Sequence, residues 1–129
     1  MVKNSYKELI RFIIVGLMST SVHIVIAISA IEVLDARPLK ANLFAFISTF
    51  LFSYIMNSKW SFSSTLAFNK FYKFSIVALL NFLLIYTIVS INEVLKTPVV
   101  YSVYGIAILS PIISFLSLKF WIFSNKNSV

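Results

Sequence analysis

Four cations stand where a phosphate could be held: Arg11, Lys59, Lys73 and Lys119. Each is followed directly by an aromatic residue, as Arg11-Phe12, Lys59-Trp60, Lys73-Phe74 and Lys119-Phe120. Arg11 and Lys73 precede long apolar runs. If those runs are helices, their first N–H groups and positive dipole ends favour an anion, above all a phosphate. Lys59 and Lys119 follow such runs, where a cation complements the opposite end of the dipole. Antiparallel packing of the runs would gather these charges on one face. The competing reading is ordinary: lysines and arginines at membrane borders also snorkel and set topology.

The elements that must position these cations are four stretches without Asp, Glu, Lys or Arg: residues 12–31, 41–58, 74–92 and 98–118. Each approaches the roughly 20 helical residues needed to cross a ~30 Å hydrocarbon layer. Hydrophobic residues make up 60% of the 129 and charged residues only 12%, so little is left for a soluble domain. The runs do not alternate apolar with polar, which argues against a transmembrane barrel. In lipid the backbone must satisfy its own hydrogen bonds, and helices do so. The expectation is one all-α transmembrane domain over residues 1–129, built of four spans. The first run is too long for a typical signal-peptide core and three more follow, so it reads as a retained helix.

Charge orients the spans. Lys3, Lys7, Arg11, Lys59, Lys70, Lys73, Lys119 and Lys126 fall on one side, with Glu8 as the one acid among them. Arg37, Lys40 and Lys96 on the other side are balanced by Glu32, Asp35 and Glu93. The whole net charge of +7 therefore lies on one face, and the positive-inside rule places both termini in the cytoplasm. Contact with anionic lipid accounts for that charge without nucleic acid, for which no motif is present.

The chain reads as a helical hairpin written twice. Arg11-Phe12-Ile13-Ile14-Val15 opens the first span, and Lys73-Phe74-Ser75-Ile76-Val77 opens the third, 62 positions later. Pro38 and Pro98 stand before the second and fourth spans, where proline suits a helix start. Trp60-Ser61-Phe62 closes one half and Trp121-Ile122-Phe123 the other. Both halves begin and end on the same side, so the repeat is parallel. The connections at residues 32–40 and 93–97 are short. Residues 59–73 form a cytoplasmic loop of Lys, Ser and aromatic residues suited to the headgroup zone, with room for a short interfacial helix.

Small and polar residues share a face in each span. In the first these are Gly16, Ser19, Thr20, His23, Ala27 and Ala30. In the second they are Asn42, Ala45, Thr49, Ser53, Met56 and Asn57. The third has Ser75, Ala78, Asn81 and Asn92, and the fourth Ala107, Ser110, Ser114 and Ser117. Such faces serve close helix packing or line a polar groove, and the two uses are compatible at different depths. His23 is the one titratable side chain well inside a span. It is either a functional group or a neutral imidazole bonded to a neighbouring Ser or Thr. Gly105 and Pro111 could bend the fourth span. Cysteine is absent and glycine occurs twice. There is no phosphate loop, no metal-ligand spacing and no carboxylate pair within a span, so neither an enzyme nor a metal or other cofactor is expected.

With these motifs in order, the chain resembles the GtrA-like family of small four-span membrane proteins. The match rests on Arg11-Phe12-Ile13-Ile14-Val15-Gly16; on Phe52 through Asn57-Ser58-Lys59-Trp60-Ser61-Phe62, similar to the family's Phe-x(4)-Asn-Arg-x-Trp-x-Phe; on Lys73-Phe74; and on Lys119-Phe120-Trp121-Ile122-Phe123. Ser58 stands where the family usually has arginine. The resemblance implies translocation of a polyprenyl-phosphate-linked monosaccharide from the inner to the outer leaflet of a bacterial or archaeal cytoplasmic membrane, for cell-surface polysaccharide glycosylation. On that reading Arg11, Lys59, Lys73 and Lys119 hold the phosphate. Asn57, Asn81 and His23 line the sugar groove, and Trp60, Tyr72 and Trp121 stack on the sugar or anchor in the interface. Four helices make a thin wall, so a homo-oligomer, a dimer, is expected, with a membrane glycosyltransferase as a possible partner. Two rivals stand beside it: a non-transporting partner of such a glycosyltransferase, and a small multidrug-type exporter, which would need a carboxylate inside its first span.

Overall fold

The computed structural model describes residues 2–124, and the described residues are helical with no strand. Helix α1 runs Val2–Glu32, α2 Pro38–Met56, α3 Phe68–Val94 and α4 Val99–Ser117. Both α2 and α4 continue into a single wide π turn, Asn57–Ser61 and Leu118–Ile122 respectively. Four helices are thus long and apolar enough to span a membrane. The chain divides into two compact units, Met1–Leu66 and Ala67–Val129, each holding one helical hairpin. The tail cation Lys126 lies outside the described residues.

Local sequence explains the helix boundaries. Pro38 occupies the first turn of α2, and Arg37 before it is extended (φ −58°, ψ 139°), as a residue preceding proline must be. Pro98 is the residue just outside α4. No proline or glycine interrupts residues 2–15, so α1 starts well before its apolar run and, at 31 residues, is about 46 Å long. This displaces one part of the sequence reading. Arg11 lies more than two turns inside α1, and Lys73 is the sixth residue of α3. Neither sits on free helix-start N–H groups, so the dipole of its own helix does not make its site. Residues 62–67 alone separate the first π turn from α3, and they carry no interfacial helix.

The short turns between the helices of each hairpin are locally wired. Helix α3 ends with the Thr97 N–H on the Asn92 carbonyl and the Lys96 N–H on the Glu93 carbonyl, both at 3.2 Å. That pairing places Lys96 in the left-handed region at φ 50°. The Asn92 side chain then clasps Thr97, donating to its carbonyl at 2.9 Å and accepting from its hydroxyl at 3.0 Å. Asp35 has the same φ of 50° at the corresponding point of the first hairpin. Aspartate tolerates this conformation and lysine does not. Replacing Lys96 with glycine is therefore expected to stabilise the protein by about 1 kcal/mol, read as a higher thermal midpoint in detergent. An unchanged or lower midpoint would show that the turn carries no strain.

Within the first hairpin, α1 packs on α2. The buried positions of α1 are Glu8, Val15, Ser19, Ala27 and Ala30, and those of α2 include Ala41, Ala45 and Tyr54. Small side chains of this kind let two backbones approach. The stripe runs through Val15 and Ser19, about 100° around the helix from Gly16. Accordingly, a Cβ on Gly16 would meet nothing within 4 Å, and Gly16, Thr20, Asn42 and Ala107 are exposed. In the second hairpin a Cβ on Gly105 would stand 3.9 Å from Ile88 Cγ2, an ordinary contact. Only 6% to 17% of each span's apolar window is buried. The remaining Leu, Ile, Val and Phe side chains therefore suit hydrocarbon rather than a core.

Candidate functional site: a cation over tryptophan at the basic end of each hairpin

The π turn is the local feature that builds the site. In the first hairpin the Phe62 N–H reaches back five residues to the Asn57 carbonyl at 3.0 Å, and the Ser64 N–H takes the Ser58 carbonyl at 2.7 Å. The chain has left the helix by Phe62, so the Trp60 carbonyl needs a partner from elsewhere. Arg11 of α1 supplies it: Nη1 donates to the Trp60 carbonyl at 3.0 Å. The same guanidinium lies 5.8 Å from the centroid of the Trp60 ring. Arg11 is thus a cation capping the C-terminal end of the other helix of its hairpin, where the dipole favours positive charge.

The second hairpin repeats the arrangement in a looser form. The Phe123 N–H spans its π turn to the Leu118 carbonyl at 2.8 Å. Lys73 Nζ sits 5.6 Å from the centroid of the Trp121 ring. The odd helices correspond at an offset of 62 residues, as Arg11 to Lys73, and the even ones at 61, as Trp60 to Trp121. Phe62 and Phe123 correspond at the same offset and are both buried, each 1% exposed.

The structure thus brings Arg11 to Trp60, in the turn that also holds Asn57, and Lys73 to Trp121. Lys119 Nζ lies against two rings of its own segment, Phe115 at 5.7 Å and Phe120 at 5.5 Å. Lys59 and Tyr72 are exposed. His23 is half-buried on α1, about 18 Å along the axis from Arg11, away from the basic end. Ser58 corresponds to Lys119 at the 61-residue offset, so the cation missing from the first turn is present in the second.

Asn81 has a different surrounding from Asn57. Its Nδ2 donates to the Val77 carbonyl at 3.0 Å and to Ser114 Oγ at 2.9 Å, and its Oδ1 accepts from Ser110 Oγ at 2.8 Å. Both amide hydrogens are therefore spent within the hairpin, tying α3 to α4 on either side of Pro111. The corresponding positions of the first hairpin are Ser19 for Asn81, Thr49 for Ser110 and Ser53 for Ser114. Serine is too short to reproduce the tie. Ser19 Oγ and Thr49 Oγ1 are buried without a hydrogen-bond partner. Asn57 turns its Nδ2 to Ser53, at 2.9 Å to the carbonyl and 3.2 Å to Oγ, leaving Oδ1 unpartnered. Ser58 Oγ and Ser61 Oγ, buried in the same turn, are also unpartnered. The sequence reading left out Ser58 as a ligand group and did not consider Ser61. The offset between halves, carried residue by residue, was the signal available for both.

Among the described residues no three His, Cys, Asp or Glu side chains are placed to hold a metal ion. Two apolar hairpins, each with polar and cationic groups at one of its ends, define a multi-pass membrane protein built of two related halves. The chain belongs to the GtrA/DPMS transmembrane-domain family, whose model matches residues 11–123. The matched stretch runs from Arg11 on one tryptophan to the buried Phe123 that follows the other. The family is linked to the translocation of polyprenyl-phosphate sugars and is generally one of transporters rather than catalysts. No curated protein and no solved structure matches the chain.

Proposed function

We propose that this protein moves a polyprenyl-phosphate-linked monosaccharide across the cytoplasmic membrane of a bacterium or archaeon, supplying cell-surface polysaccharide glycosylation. The observation that carries the reading is the cation seated on tryptophan at the basic end of each hairpin. An arginine or lysine half-buried against an aromatic face keeps its charge at the depth of lipid phosphates. It retains N–H donors for an anion: Arg11 spends one of five on Trp60. Each hairpin offers a phosphate its own cations, Arg11 with Lys59 in the first and Lys73 with Lys119 in the second. Trp60, Trp121 and Tyr72 have exposed ring surface for the sugar, and the polyprenyl tail stays against the apolar helices. The positive-inside rule orients the basic ends and both termini to the cytoplasm. The chain works as a homodimer beside a membrane glycosyltransferase, and transport follows the substrate gradient. Glu32, exposed at the last residue of α1, is not the buried carboxylate that a proton-coupled drug exporter requires.

The test is purified protein in vesicles loaded with a labelled polyprenyl-phosphate hexose, followed by a reagent that modifies only outward-facing sugar. The protein is expected to speed exposure at least about tenfold over protein-free vesicles, a barrier change of about 1.4 kcal/mol. No acceleration would instead support the role of a non-transporting glycosyltransferase partner. Lys73→Glu is expected to insert normally and to slow exposure about fivefold or more, through loss of one charge-assisted contact. A wild-type rate in that variant would remove Lys73 from the phosphate site.

A further inference from the structure

We infer that the first hairpin, and not the second, passes the sugar, with five buried oxygens that accept and donate to its hydroxyls along the way. This rests on the lipid-linked-sugar reading above. Among the described residues, the buried side-chain oxygens without a hydrogen-bond partner are Ser19 Oγ, Thr49 Oγ1, Asn57 Oδ1, Ser58 Oγ and Ser61 Oγ. All five belong to the first hairpin. Polar groups left unpaired in a low-dielectric interior are costly. Their concentration in one of two related halves marks a place that meets an external partner. At the matching positions the second hairpin has Asn81 and Ser110, bonded to each other, then Leu118, Lys119 and Ile122. The other buried polar groups of that hairpin include Asn92 and Ser102, and both are hydrogen-bonded within it.

The chemistry of the five selects the partner. Asn57 has committed Nδ2 to Ser53, so its free Oδ1 can only accept. A phosphate, itself an acceptor, is repelled there, while a hydroxyl donates to Asn57 and can also accept from the serines. The phosphate therefore stays with the cations, and the polyol head meets Asn57, Ser58 and Ser61. Ser19 lies eight residues beyond Arg11 on α1, and Thr49 eight residues before Asn57 on antiparallel α2. Both stand about 12 Å deeper than the π turn, close to the middle of a ~30 Å hydrocarbon layer. The oxygens thus occupy two levels, one at the mouth and one near the midplane, between which a sugar can exchange partners.

The second hairpin suggests the test. Ser19→Asn gives the first hairpin the residue that staples the second, within reach of Thr49 and Ser53 by the same offset. The variant is expected to hold or raise the thermal midpoint, to bind bare polyprenyl phosphate in vesicles with wild-type affinity, and to expose labelled polyprenyl-phosphate hexose at least about tenfold more slowly. Thr49→Val, which removes an oxygen at the same depth without adding a staple, is expected to slow exposure as well. Ser114→Ala, in the second hairpin, is expected to keep the wild-type rate. A wild-type rate in both Ser19→Asn and Thr49→Val overturns the inference and leaves these oxygens as water sites. A rate lost in Ser114→Ala as severely as in Ser19→Asn also overturns it, because the halves would then act alike. Wild-type protein that binds bare polyprenyl phosphate yet moves no sugar lipid would overturn the transport reading itself, and this inference with it.

Discussion

Arg11→Ala is expected to lower the affinity for bare polyprenyl phosphate about tenfold, the worth of roughly 1.4 kcal/mol from one charge-assisted contact. The measurement is quenching of Trp60 fluorescence by polyprenyl phosphate in vesicles, with Trp121 replaced by phenylalanine. Arg11 joins two tasks in one group. Its Nη1 holds the Trp60 carbonyl at 3.0 Å, and its remaining N–H groups are available to an anion on the open side. Arg11→Lys separates them. Lysine keeps the charge near the Trp60 ring, but its point-like ammonium lacks the planar fork that can serve a carbonyl and a phosphate at once. The lysine variant is therefore expected to recover part of the affinity. Alanine is also expected to lower the thermal midpoint, since the last turn of the α2 segment loses its capping cation, by about 1 kcal/mol for a half-exposed site. Unchanged affinity in Arg11→Ala, with an intact midpoint, would leave Arg11 as a topology signal only.

Much of this arrangement is legible in the sequence, and what is not has identifiable causes. The four spans follow from uninterrupted apolar runs, and the pairing into tandem hairpins from the repeated Arg/Lys-Phe starts and Trp-x-Phe ends. The start of α1 is not legible from hydropathy, because nothing in Ser5, Tyr6, Lys7 and Glu8 breaks a helix once the apolar part has formed one. Arg11 therefore lies inside α1 rather than at its start, and Lys73 lies inside α3 because that helix begins at Phe68. Each meets the π turn of the opposite helix instead, Arg11 at a carbonyl and an indole and Lys73 at an indole. A π turn has no composition signature of its own. It shows only when Phe62 and Phe123 are seen as buried residues that must turn inward after the helix.

The polar faces were legible as faces but not as partners. Helical spacing put Asn81 with Ser75 and Ala78 on one side of the third span. It could not say that Ser110 and Ser114 would meet that amide. The two hairpins hold nearly the same positions in nearly the same register, yet a serine in place of an asparagine leaves one interior open to hydrogen bonding and the other closed. At that depth the difference is one side-chain length, and at the π turn it is Asn57, Ser58 and Ser61 against Leu118, Lys119 and Ile122. It separates a half with unpaired buried oxygens from a half whose amide ties its two helices.

That bracing is the second large effect. Asn81→Leu, close in volume, is expected to destabilise the protein by roughly 1–3 kcal/mol, the summed worth of two interhelical hydrogen bonds in a membrane. The readout is the thermal midpoint in detergent, together with the urea-independent susceptibility of residues 95–98 to proteolysis in nanodiscs. The cost stays at the low end if Ser110 and Ser114 turn to carbonyls of their own helix. Pro111 raises it. Proline removes the N–H that would bond the Ala107 carbonyl, so α4 lacks one rung of its ladder between the two serines that Asn81 holds. The amide thus bridges a weakened point from the neighbouring helix. Pro111→Ala restores the rung, and in its presence Asn81→Leu is expected to cost less than alone, a coupling of about 0.5–1 kcal/mol in a double-mutant cycle. Strict additivity would show that the amide ties α3 to α4 without supporting the helix across the proline.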